Sequence, residues 1–278
     1  MNGKTAELKK ACEEAFKDMR QFDAEHRDKS WGFHFTYSPE KSWRDDTKVL
    51  LLTINPQSWD METNSNKLFI PNSIWPDNND FFAPPDFKIR KPILTLLREI
   101  AIHKKIMGVK GAEQLEKNII LNSFVDENVV IASFVPFRTP SSTSRYLPNS
   151  MKQFSEEKYW NKILQIWRPN LIITIGGIPF DGIQNIFEKT LNQRPEPEEK
   201  PGSDYPLENT KTICSGVYKS CDYAFPPSAE HPAGNTVHLV GLPHPSKKFG
   251  WMGFPTKTLK DSAPVLQYIR EKLAEMNF

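Results

Sequence analysis

Four short apolar runs divide the chain: Lys48-Val-Leu-Leu-Leu-Thr-Ile-Asn55, Val129-Val-Ile-Ala-Ser-Phe-Val135, Leu171-Ile-Ile-Thr-Ile-Gly176 and Thr236-Val-His-Leu-Val-Gly241. None alternates strictly between apolar and polar positions, which is the pattern of strands covered on both faces in a parallel sheet. Helical spacing separates most of them. Residues 4–28 place Leu8, Cys12, Ala15, Phe16 and Met19 on one face. Ile89–Lys105 repeats the spacing with Ile93, Leu96, Leu97 and Ile100, and Pro92 lies near its start. Ser155 is the expected N-cap of a helix over Glu156–Trp167. Further helices are predicted over Pro179–Leu191 and Lys260–Met276. Strands alternating with helices predict a doubly wound α/β fold, whose ligands sit at the carboxyl ends of the strands.

No internal repeat is visible, and residues 1–278 are expected to form one domain, with 1–47 as an N-terminal helical extension. Within that extension the aromatic stretch Trp31–Tyr37 suits a loop or short strand on the core. The stretch Gln57–Phe87 is long and rich in proline, yet Trp59, Phe69, Trp75, Phe81, Phe82 and Phe87 argue against disorder. The segment 192–210, rich in Pro, Glu and Lys, predicts an exposed loop.

Composition adds limits. With 38% hydrophobic and 25% charged residues, the chain has material for a sizeable core. The net charge of +2 demands no nucleic-acid partner by itself, but Lys247–Lys260 carries four lysines and no acid. Cys12, Cys214 and Cys221 are too few for a four-cysteine metal site, and free thiols fit a reducing compartment. The charged N-terminus and the absence of a long apolar run predict a cytoplasmic protein that does not enter membranes.

Polar groups and prolines follow three of the strands. The first run exits into Ile54-Asn55-Pro56, the second into Pro136-Phe137-Arg138, and the last into Pro243-His244-Pro245-Ser246. Ile-Asn-Pro after the first strand and His-Pro-Ser after the last resemble the two signature motifs of the uracil-DNA glycosylase superfamily. The combination is most similar to the single-strand-selective branch. The order of the motifs, their strand contexts and their separation of about 190 residues agree as well. The resemblance covers the framework from about Lys48 to Met276. It implies a three-layer α/β/α sandwich around a central, mainly parallel four-stranded sheet. It also implies an N-glycosyl hydrolase that flips a base out of DNA, excises it and leaves an abasic site.

The roles follow from that resemblance. Asn55 would position the attacking water, since an amide is not an effective base. His244 would donate a hydrogen bond to the carbonyl oxygen of the departing base as negative charge develops there. Ile54, Pro56 and Ser246 belong to the same motifs and would line the substrate site. Phe69, thirteen residues after Pro56, would stack on the flipped base. The loop after His244 would enter the gap left by that base, with Phe249, Trp251 and Met252 as apolar wedges and Lys247, Lys248 and Lys257 on phosphates.

Ser133 departs from the pattern. The matching strand of the family usually supplies an Asn that makes a two-pronged contact with uracil, which a hydroxyl cannot copy. The departure favours a larger or altered base over plain uracil, and the resemblance to the family implies modified cytosines of viral DNA, in phage defence, as one such target. The aromatic loop over 57–87 would widen the pocket, and Arg138 would meet phosphate or a polar adduct. No Walker loop, GxGxxG or HExxH is present, and the chemistry requires no metal or cofactor. A monomer acting on single- or double-stranded DNA is expected. A non-catalytic nucleic-acid binder on the same fold stays open, as does a nucleotide-processing enzyme of another α/β family.

Overall fold

The computed structural model describes residues 3–30, 32–44, 46–54, 74–77, 90–103, 123–139, 147–201, 217–227, 234–242, 269 and 271–274. Helix α1 spans Gly3–Glu25, strand β1 Val49–Thr53, helix α2 Arg90–His103 and strand β2 Val129–Ser133. A helix, α3, follows in three parts: Asn149–Phe154, a π-helical turn over Ser155–Trp160, and Asn161–Ile166. Then come β3 (Leu171–Ile175), α4 (Gly177–Leu191), β4 (Glu198–Pro201), β5 (Val217–Phe225) and β6 (Asn235–Leu242). Residues 123–128, 269 and 271–274 are also helical. Among the described residues no helix is long and apolar enough to cross a membrane.

The six strands form one sheet in the order β2-β1-β3-β6-β5-β4. The first four in that order are parallel, and β5 and β4 continue antiparallel. This corrects the expected four-stranded sheet. The two extra strands have a physical reason to escape a search for continuous apolar runs. In β5, Cys221, Tyr223 and Phe225 face the core while Asp222 and Ala224 are exposed, so the segment alternates as a half-covered antiparallel strand does. The segment 192–210, expected to be an exposed loop, contributes β4.

Helices cover both faces of the parallel strands. On one, α1, α3 and α4 meet Leu50, Leu52, Val130, Ala132 and Ile172. On the other, α2, the 123–128 helix, Ile269 and Leu273 meet Val49, Leu51, Ile131, Ile173 and Val240. Every residue of β1, β2 and β3 is buried, as the unbroken apolar runs require. Cys12 and Cys221 are free and buried within the first of these cores. Burial pushes both thiols up, that of Cys221 to about 11, so at neutral pH they are protonated fillers of the core.

Ser155 is not an N-cap. The helix starts at Asn149, and Ser155 lies inside it, buried, with its hydroxyl donating to the carbonyl of Met151 at 2.7 Å. That local bond satisfies a hydroxyl within a helix and often accompanies its distortion. The π turn begins here. It brings two consecutive large side chains inward, which regular spacing of about 100° per residue opposes. The Tyr159 hydroxyl donates to the Phe35 carbonyl and the Trp160 indole N–H to the Phe134 carbonyl, both at 2.9 Å.

Phe134, directly after β2, also fixes the seat of α4. A Cβ added at Gly182 would lie 2.1 Å from the Phe134 ring, so the helix approaches this closely only with glycine there. Gly182→Ala is expected to destabilise the fold by about 1–3 kcal/mol through overpacking. Helix propensity alone would make the same change stabilising by about 1 kcal/mol. The direction in which the urea midpoint moves decides between the two effects.

Candidate active site at the carboxyl edge of the sheet

β1, β2, β3 and β6 run parallel, so all four end at one edge. Thr53 pairs with Ser133, Leu52 with Thr174, Thr174 with Gly241, and Ile175 with Leu242. Beyond the ladder the exits stay tied together. The amides of Phe134 and Val135 donate to the carbonyls of Thr53 and Ile54, and the amide of Gly176 donates to that of Leu242, each at 2.8 Å. Gly176 turns the chain from β3 into α4 at φ 94° and ψ 167°, a region open essentially to glycine alone. β2 lies on one side of β1 and β3 on the other, so the winding reverses beside β1, where doubly wound sheets hold their ligands.

Three of the residues singled out in the sequence are described here. Ile54 is buried and packs into the core formed with α1, α3 and α4, so its side chain serves packing. Ser133 is buried at the last position of β2. Arg138, partly buried, lies five residues past the end of β2, and its amide donates to the carbonyl of Gly32 at 2.9 Å. Asn55, Pro56, Phe69, His244, Ser246, Lys247, Lys248, Phe249, Trp251, Met252 and Lys257 lie outside the described residues. What the structure does place are the strands that lead to Asn55 and His244. β1 and β6 flank β3, two strand spacings apart, or roughly 10 Å.

Two hydroxyls at this edge were not singled out in the sequence. The Ser133 Oγ lies 3.1 Å from Thr53 Oγ1 and 3.4 Å from the Tyr37 hydroxyl. All three residues are buried. The Tyr37 ring stacks on His34, with centroids 4.5 Å apart. Tyr37 was visible only as part of an aromatic stretch, and its partner is 96 positions away.

The segment from Gly32 to Ser38 reaches this place by lining the outer edge of β2. The amide of Tyr37 donates to the Ile131 carbonyl at 3.0 Å, and the Ile131 amide donates to Ser38 Oγ at 2.8 Å. Phe33 and Phe137 form an antiparallel bridge. A bare strand edge would invite foreign pairing, and this segment covers it. Its start is anchored by Asp23, a buried carboxylate in the last turn of α1. Asp23 Oδ1 accepts from the Ser30 hydroxyl and from the Gly32 amide at 3.1 Å, while Oδ2 lies 3.5 Å from Arg27.

No protein-family model matches the chain, and no curated protein matches it. Among the described residues no group of three or more His, Cys, Asp or Glu is arranged to hold a metal ion.

Asp23→Ala would leave the Gly32 amide buried without its acceptor, while the Ser30 hydroxyl keeps the Gly32 carbonyl at 3.1 Å. A stability loss of about 1–3 kcal/mol in urea denaturation is expected. A loss below about 0.5 kcal/mol, the size of an ordinary surface change, would show that the carboxylate does not anchor the segment.

Proposed function

We propose that the protein is a monofunctional DNA glycosylase of the uracil-DNA glycosylase type, acting as a monomer on a flipped, modified pyrimidine. The observation that carries this is the placement of β1 and β6 on either side of β3. The ends of β1 and β6, the strands that precede Asn55 and Pro243-His244 in the sequence, therefore lie at one edge of one parallel sheet, roughly 10 Å apart. The helices on both faces and the order of the four parallel strands support the same three-layer architecture, with β5 and β4 as an addition to it.

The chemistry divides between the two exits. Asn55 holds a water against the anomeric carbon of the sugar. The water oxygen bonds to that carbon, and the glycosidic bond breaks with its electron pair passing to the base. His244 donates a hydrogen bond to the base carbonyl, where the charge accumulates, and so favours the transition state over the ground state. The proton released by the water ends on the departed base through solvent. No lysine adduct forms, and an intact abasic strand remains. Lys247, Lys248 and Lys257 hold phosphates, and Phe249, Trp251 and Met252 fill the space of the flipped base.

The substrate follows from Ser133. A two-pronged amide would select plain uracil strongly, and its replacement by a short hydroxyl removes that selection. Modified cytosines of viral DNA are the proposed targets, with phage defence as the role.

End-labelled DNA carrying such a base should break at it after incubation with the protein and hot alkali. Asn55→Ala and His244→Ala should each slow base release by roughly a hundredfold or more without lowering the melting temperature. A double variant that turns over like the parent protein would remove both residues from the mechanism. DNA that is bound but never becomes alkali-labile would instead indicate a non-catalytic binder.

A further inference from the structure

Asp181 stands where α4 meets the end of β6. The amide of Gly176, just past β3, donates to the carbonyl of Leu242, the last residue of β6, at 2.8 Å. α4 starts at the next residue, Gly177. A helical side chain leans back over the turn before it, and a Cβ added at Gly177 would lie 3.9 Å from Asp181 Oδ2. The carboxylate thus overlies the first turn of α4, on the side of the carboxyl edge.

The stripe of α4 that holds it faces β5. Gly177, Asp181 and Gln184 recur at helical spacing, and Gln184 Nε2 donates to Cys221 Sγ at 3.7 Å. Lys219 lies two residues along β5 on the same face, paired with Gly241 near the end of β6. Among the described residues no hydrogen bond or ion pair reaches the Asp181 carboxylate. Burial raises its carboxyl from the ordinary carboxylate range, and the charges of Lys219 and Arg194 act the other way. A carboxylate in that position gains from a cationic donor brought beside it.

His244 follows Leu242 by two residues, which span at most about 7 Å of chain. A neutral imidazole carries one N–H. If that N–H went to a carboxylate, none would be left for the departing base. The imidazolium carries two, and a neighbouring carboxylate favours it. We propose that Asp181 is a positioning residue for His244: it accepts from one ring nitrogen and so keeps a proton on the other, which donates to the base. This rests on the role given to His244 above and extends it, because it assigns that donor to the imidazolium form.

The test follows the ring protons of His244 by NMR in the full chain, identified by their loss in His244→Gln. Asp181→Asn should lower the pH at which this ring titrates by about one unit, a tenfold loss of proton affinity. Asp181→Glu should restore most of it. Neither change should lower the melting temperature, because Asp181 is exposed. On DNA carrying uracil or 5-hydroxymethylcytosine, whichever the parent protein cuts faster, Asp181→Asn should move the alkaline limb of kcat/KM to lower pH by the same interval. If Asp181→Asn does not fold, the reciprocal measurement decides: in His244→Gln the Asp181 carboxyl, followed by its carbon resonance, should titrate at higher pH than in the parent. A His244 titration that Asp181→Asn leaves in place overturns the proposal, as does an Asp181 titration that His244→Gln leaves in place. A titration that moves while no base is released from any pyrimidine-bearing DNA upholds the pairing and removes the glycosylase assignment, so the two failures are distinguishable.

Discussion

The parallel hydrogen-bonding register of β1, β3 and β6 is the constraint on which the rest depends. Leu52 pairs with Thr174 and Thr174 with Gly241, so the two outer strands end level with each other. A parallel ladder cannot be closed by a tight turn, and each crossing needs a long connection. Helices α2, α3 and α4 belong to these crossings, and together with α1 and the helical residues near Ile269 and Leu273 their apolar sides bury the strands. A slip of one residue in β6 would turn Val237 and Leu239 out of one core and Val240 and Leu242 out of the other. The apolar pattern that holds the sheet together is thus the same pattern that brings two distant segments of sequence to one edge.

Around that edge, buried polar groups do what apolar packing cannot. Tyr159 and Trp160 hold the carbonyls of Phe35 and Phe134, one on the segment lining β2 and one on the exit of β2. Asp23 holds the start of the same segment. Hydrogen bonds of this kind add little net stability when made but cost more when one partner is lost. They therefore define position more than they add stability. The π turn has the same logic: a less regular stretch of α3 lets adjacent residues reach the segment lining β2 and the exit of β2.

Much of the fold was legible because it obeys simple periodicities. β1, β2 and β3 read directly from unbroken apolar runs, since both of their faces are buried. β5 did not, because only one face is covered, and β4 is a short charged edge strand ending in proline. The start of α3 was obscured by Ser155, a good cap by residue type whose hydroxyl instead bonds back to Met151. At the site, Ser133 could be located by strand position alone. Its partners could not, because Tyr37 and Thr53 meet it through contacts that span 96 and 80 positions of sequence. Ile54, part of the first motif, packs into the core formed with α1, α3 and α4.

The proposed chemistry is the release of a modified pyrimidine from DNA at this sheet edge. Mass spectrometry of the free bases tests it most directly, with the purified protein incubated on paired DNAs containing either uracil or a bulky modified cytosine. A free modified base, matched by abasic sites in the DNA, and little or no free uracil are expected. Fast and preferential release of uracil would contradict the substrate assignment, and the absence of any free base would contradict the claim as a whole.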